Sequence, residues 1–433
     1  MGRLSKLLFA FLILLLGAYA LLSIDWRPER KVEVLARHPP GAPFVVAGRL
    51  HVGAAERSIT PDHPVPLGGY GSRRGATFEG VRDTPKVRAV ALGDGRTPPL
   101  VLVGLDLVLV SPPLAEAIRA RAAEAGAGPV VTAATHTHNG PGGIWDNPVA
   151  SLLGLGPYDE AYFRFVVDRT TEAVASAIGA MEPSILESAH LYGLDLCESR
   201  IEGRKVDDRL DYVHFEMDSG AEAALLVFAC HPTTLGASDR RLSAEWPGAV
   251  AEALPGVTLT WQGAVAEATP KGPRGEKTLE RIATSLAETA LALPLEAEAG
   301  VAYRGATLRL PAPTGATVAP PGLQNLAGNL LTWLAPDSAR VGALRLGGTV
   351  FFLTPGEVAA PLASRWRRRL GESVRVVSLV DGYVGYLETP EALAARAGES
   401  RQAYYGAELI EALAEVGKAL VAEVEAAAPA EAP

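Results

Sequence analysis

Residues 130–143 read VVTAATHTHNGPGG. An apolar, β-branched run ends at His136-Thr137-His138 and gives way to a loop of Asn, Gly and Pro. In an extended segment residues two apart point the same way, so His136 and His138 face one side together. Strand ends in α/β sheets are where ligand sites collect. A His-x-His placed there can hold a metal ion through one or both imidazoles. The alternative is two polar residues closing a strand, and the tripeptide alone does not choose between them.

The same arrangement recurs twice downstream. In AALLVFACHPTTLG (223–236) a buried-strand pattern ends at Cys230-His231-Pro232, and Pro232 stops the ladder. In TVFFLTPGEVAAPLASRWRRRL (349–370) an apolar strand meets Pro355-Gly356, and Glu357 follows at a helix start. A carboxylate there suits the helix dipole; it is equally the third ligand of a His/His/carboxylate zinc site. Other metallohydrolase patterns fit less well. A metallo-β-lactamase-like site needs Asp and His where Asn139 and Gly140 stand. An amidohydrolase barrel needs two further histidines and a late Asp, and of His190, His214 and His231 only the last ends a strand.

Between these segments, strand patterns (86–92, 100–110, 129–134, 223–228, 257–261, 341–353, 374–380) alternate with helical ones (113–125, 162–180, 277–293). A final amphipathic helix carries Leu409, Leu413, Leu420 and Val424. This predicts an α/β class: a mixed, largely buried β-sheet core with flanking helices and the zinc site at strand ends. The 308–325 stretch reads as a surface loop over the site. The 433 residues suffice for a sizeable core, and the net charge of −9 excludes a globally basic nucleic-acid binder. Cys197 and Cys230 are too few for a cysteine-rich metal module and read as a single bridge or two buried thiols.

Residues 1–24 form a basic leader followed by an apolar run, Leu7 to Ile24, without a charge. That run is longer than the usual ~7–15-residue signal core and approaches a membrane span. The leader is therefore expected to be an apolar helix serving as signal peptide or membrane anchor, with the body exported and either membrane-anchored or secreted. Residues 25–48 read as a linker with one starting strand, 49–425 as the hydrolase domain, and 426–433 as a frayed tail.

Taken in order, VGAAERSITPD, GLDLVLVS, AATHTHNGPGG, FACHPTTLG, WQGAVAEATPKG, TPGE and DGYVGYLETPEAL resemble the neutral/alkaline (non-lysosomal) ceramidases, zinc amidases that cleave the N-acyl bond of ceramide. The resemblance runs from about residue 50 to 410. It implies zinc ligands at His136, His231, Glu357 and Tyr386, and a proton-handling histidine at His138. It places Arg200 near the substrate carbonyl, Thr269 at the family's serine position and Glu267 beside it. It also implies a lipid-like N-acyl substrate met at the membrane surface. Two features depart from the family. Gly398 stands where the family has a catalytic tyrosine, leaving Tyr383 or Tyr404 as substitutes, and there is no counterpart of the C-terminal immunoglobulin-like domain. An amidase or esterase for another acylated molecule, or a silent zinc-binding envelope protein, are the competing expectations.

Overall fold

The computed structural model describes residues 3–427. Its largest sheet runs in the order Val257–Gln262, Glu222–Phe228, Leu210–Met217, Glu182–Leu191, His51–Ser58, Lys86–Gly93, Leu100–Leu105, Val130–Ala134. A second sheet runs Glu33–His38, Val301–Arg309, Ser338–Leu346, Thr349–Leu353, Val374–Val377. Most neighbours are antiparallel, but three pairs are parallel: Leu100–Leu105 with Val130–Ala134, Glu222–Phe228 with Val257–Gln262, and Thr349–Leu353 with Val374–Val377.

Period-2 alternation builds the layers. Leu100 and Leu102 of the first sheet share one core cluster with Tyr303, Leu344 and Phe351 of the second, so the sheets pack face to face. Val101 and Val103 point the other way, under helices Pro112–Glu124 and Glu160–Gly179. Helices Glu245–Ala253 and Glu276–Ala292 cover the rest of that face. Helices Ala360–Leu370 and Ala407–Ala426 close the outer face of the second sheet. The result is the mixed α/β class expected, in four layers.

Several boundaries differ from the sequence reading for identifiable reasons. The 100–110 run stops as a strand at Leu105, because the wholly buried Asp106 turns its carboxylate onto the Lys86 amide at 2.8 Å and the Arg88 guanidinium at 3.0 Å. The 341–353 run is a hairpin folded at Gly347-Gly348. Residues 25–48 are less a linker than an edge of the second sheet: Glu33–His38 and Phe44–Val45 both pair with Val301–Arg309. Cys197 and Cys230 form a disulfide.

The leader is a helix over Arg3–Ser23, and the side chains from Leu7 to Leu16 include many large apolar groups that are exposed. Among the described residues, no helix is long and apolar enough to cross a membrane. The expected frayed tail, 426–433, lies almost wholly outside the described residues.

Candidate metal centre

Every chemistry-bearing segment follows a strand of a parallel pair. His136 lies two residues beyond Val130–Ala134, in the left-handed region at φ 68°, a conformation that costs a non-glycine residue on the order of 1 kcal/mol. Its amide donates to Leu107 O at 3.0 Å, and ring Nδ1 sits 2.6 Å from Val108 O. His231 follows Glu222–Phe228, with its amide and its Nδ1 both 3.0 Å from Ala268 O. Carbonyl oxygens only accept, so each Nδ1 carries a proton and each Nε2 is the ring atom turned toward the site. Glu357 follows Thr349–Leu353 and opens a two-residue parallel ladder that sets it opposite Tyr386.

The two Nε2 atoms converge on one oxygen. Glu357 Oε2 is 3.3 Å from His136 Nε2 and 3.2 Å from His231 Nε2, while its Oε1 accepts from the Tyr383 hydroxyl at 2.8 Å. All three residues are buried to within 2% of complete. Glu357 Oε2, His136 Nε2 and both ring nitrogens of His138 have no hydrogen-bond partner. Burial pushes the His231 imidazole down to about 4 and the His138 imidazole well below its ordinary range, so both are neutral. Acceptors facing one another without a proton between them repel in a low-dielectric interior. A divalent cation removes that conflict, and two imidazoles with a carboxylate are a zinc-type donor set. The ring nitrogens of His136, His138 and His231 lie within 4.8 Å of one another, close enough to hold a metal ion together.

Tyr386 is brought to the same place. Its hydroxyl meets Arg200 Nη2 at 3.1 Å, and the guanidinium lies 5.8 Å from the phenol ring centre. Arg200 is otherwise committed to Glu399 Oε1 at 2.6 Å and Ala266 O at 2.7 Å. It braces Tyr386 and is not among the side chains that line the cavity. Thr269 is likewise off the cavity, in strand Ala268–Pro270 opposite Glu198. That strand supplies the carbonyl that orients His231. Glu267 is buried against the Ala360 amide, and burial pushes its carboxyl up to about 7.

His138 faces the cavity, its ring centre 4.9 Å from that of Tyr70 in an edge-to-face contact. Gly69, at φ 105°, lies over it: a Cβ there would come within 2.6 Å of the His138 backbone. The 140–143 loop is tight against protein, because a Cβ on Gly140 would meet Asp106 O at 2.7 Å and one on Gly142 would strike Leu155 O. Its glycines thus let the loop pack closely against Asp106 and Leu155. Position 398 is filled as well. A side chain on Gly398 would collide with Glu388 and Arg204, which pair at 2.6 Å. Tyr404 lines the cavity with Tyr383 and Tyr386. Apolar walls come from Val108, Trp145, Leu155, Leu331 and Leu334.

Three supporting residues carried no sequence signal. Arg73 threads its guanidinium onto the carbonyls of Gly68, His138, Gly236 and Asp239 and onto Asn139 Oδ1, fixing the His138 backbone. Tyr70 abuts His138, and Leu334 belongs to a helix, Gln324–Leu334, in a stretch of weak pattern. The 308–325 loop does not itself line the cavity; the helix after it does.

Solved structures share this fold. A crystal structure of neutral ceramidase from Pseudomonas aeruginosa superposes with a TM-score of 0.75 over 89% of this chain and 76% of that one, at 17% identity. A ceramidase complexed with C2 gives 0.73 over the same shares, again at 17% identity. The fold is that of neutral ceramidase. No protein-family model matches the sequence, and no curated protein does. The shared fold accounts for the two face-to-face sheets.

Proposed function

We propose that this chain is a zinc-dependent hydrolase of the N-acyl amide bond in a ceramide-like lipid. The observation that carries the reading is the convergence of two Nε2 atoms, on rings oriented through Nδ1, on one unpartnered carboxylate oxygen at 3.2 and 3.3 Å, beside an apolar cavity. The fold likeness supports the same class of chemistry.

His136 and His231 through Nε2, Glu357 through Oε2 and Tyr386 through its phenol oxygen would hold the ion. Zinc bound there supplies Lewis acidity, polarising an amide carbonyl and lowering the pKa of water from 15.7 to about 7. Burial and Glu357 push the Tyr386 phenol up, and the Arg200 guanidinium opposes them, so Arg200 acts as a positioning residue for that ligand. His138, with both nitrogens free, takes the proton of the attacking water and returns it to the departing amine as the C–N bond breaks. Such transfer is typically worth 10²–10⁴-fold. Thr269 acts through its strand, holding His231.

One observation favours a second reading, an amidase or esterase for another acylated molecule: the Arg204–Glu388 pair fills the space beside Gly398, so any phenol in the reaction must come from Tyr383 or Tyr404. Export is supported by the disulfide, which persists in oxidising compartments, and by the apolar leader; sequencing the N-terminus of the mature chain decides between signal and anchor.

The test is metal content and turnover together. Stoichiometric zinc in the purified chain, lost in His136→Ala and Glu357→Ala, is expected; equal zinc in all three would overturn the assignment. Release of fluorescent fatty acid from N-acyl sphingosine, set against short acyl amides and esters, separates the two substrate readings. Zinc without turnover of any of them would leave a silent zinc-binding protein.

A further inference from the structure

The two most exposed large apolar side chains among the described residues are Trp333, 87% accessible, and Leu152, 78%. They are distant in sequence, and each stands next in the chain to a residue that lines the cavity. Leu334 and Leu331, beside Trp333, line the cavity; so does Leu153, beside Leu152. Asn147 Nδ2 ties the walls together by donating to Leu334 O at 2.6 Å. Leu330 and Leu153 are exposed as well, and large apolar side chains grouped beside a pocket mark interaction surfaces.

What covers this rim is indicated by its neighbour. The end of the leader helix is fastened to the same mouth helix, Gln324–Leu334, by Asn325 Nδ2 to Ser23 O at 3.0 Å and Asn329 Nδ2 to Ile24 O at 2.7 Å. Tyr19 also donates to Gly322 O just before that helix, at 2.7 Å. The exposed apolar leader helix is thus held against the same helix that carries Trp333 and lines the cavity. We propose that the rim formed by Trp333, Leu330, Leu152 and Leu153 seats on a lipid bilayer, so that the cavity opens directly into the membrane interface. This rests on the reading of the cavity as a site for lipid amides. Trp suits that depth, with an apolar body and a ring N–H that stays with water.

The experiment uses the full chain with phosphatidylcholine vesicles, plain or carrying brominated acyl chains. The fluorescence contributed by Trp333, taken as wild type minus Trp333→Phe, should be quenched by brominated lipid and shielded from acrylamide. Quenching by acrylamide that is the same with and without vesicles would overturn the proposal, even if the leader alone held the chain on the membrane. In parallel, Trp333→Gln and Leu152→Gln should lower turnover of vesicle-held N-acyl sphingosine by about tenfold each, the worth of one buried large side chain. Turnover of a soluble short-chain amide should stay unchanged. Equal losses on both substrates would overturn the proposal. Bromine quenching without any amide turnover would sustain the docking surface and sink the lipid-amide reading instead.

Discussion

Tyr383→Phe isolates one hydrogen bond at the centre. The substitution removes a hydroxyl and nothing else, and the ring keeps its place against the cavity. The lost bond is the 2.8 Å contact to Glu357 Oε1. Glu357 is buried to 2%, so water does not replace the donor easily. Hydrogen bonds to a charged group contribute about 1.5–3 kcal/mol, which as a change in metal dissociation constant is roughly 10–150-fold. Outer partners of ligating carboxylates typically matter by 10–100-fold, the same range by an independent route. Competition of wild type and variant against a chromophoric chelator at fixed pH measures it, with thermal unfolding to confirm that the fold is retained. An affinity for zinc within about twofold of wild type would show that Glu357 does not depend on Tyr383 and that the carboxylate is not a ligand.

Three further outcomes follow from other parts of the structure. Burial pushes the Glu245 carboxyl up to about 7, so the folded chain holds its proton more tightly than the unfolded one and this group costs stability as pH rises from about 4.5 to 7. Glu245→Gln, which keeps an oxygen for Thr234 and Leu235, should stabilise by up to about 3 kcal/mol at pH 8 and little at pH 4.5; equal urea-unfolding differences at both would refute it. Gly398→Ala should destabilise by about 2 kcal/mol or more, since its Cβ strikes the Arg204–Glu388 pair from a backbone at φ 59°; an unchanged melting temperature would show that the pair moves aside freely. Opening the Cys197–Cys230 loop of 33 residues by a double Ala substitution should cost about 3–4 kcal/mol in the chain-entropy account, and an unfolding midpoint equal to that of the oxidised chain would contradict it.

Much of the centre was legible because its donors stand where strands end. His136, His231 and Glu357 each follow an apolar run broken by Gly or Pro, a local signal that survives in the sequence. Arg73 was not legible, since its six acceptors come from segments up to 166 residues away and nothing in GSRRG records them. The same holds for Arg200: its sequence context shows a cation near the site, while only the tertiary contacts to Tyr386 and Glu399 show which way it points. The strand boundary at Leu105 was hidden for a related reason. Apolar character continues to Val110, and it is the carboxylate of Asp106 capturing Lys86 and Arg88 that ends the ladder. Helix Gln324–Leu334 was missed because its sequence, QNLAGNLLTWL, leaves its apolar residues half exposed at the mouth.

The proposed donors come from two parts of the fold: the imidazoles follow strands of the first sheet, while the carboxylate and the phenol face each other across the short ladder of Glu357 and Tyr386. The imidazoles alone would make a weaker site than the full set, so complete coordination of an ion would wait until the two parts have come together. An unfolded chain crossing a membrane would travel empty and be loaded only at its destination. Once seated, the ion would act as a rivet, and stripping it should loosen the seam between the halves before it disturbs either one.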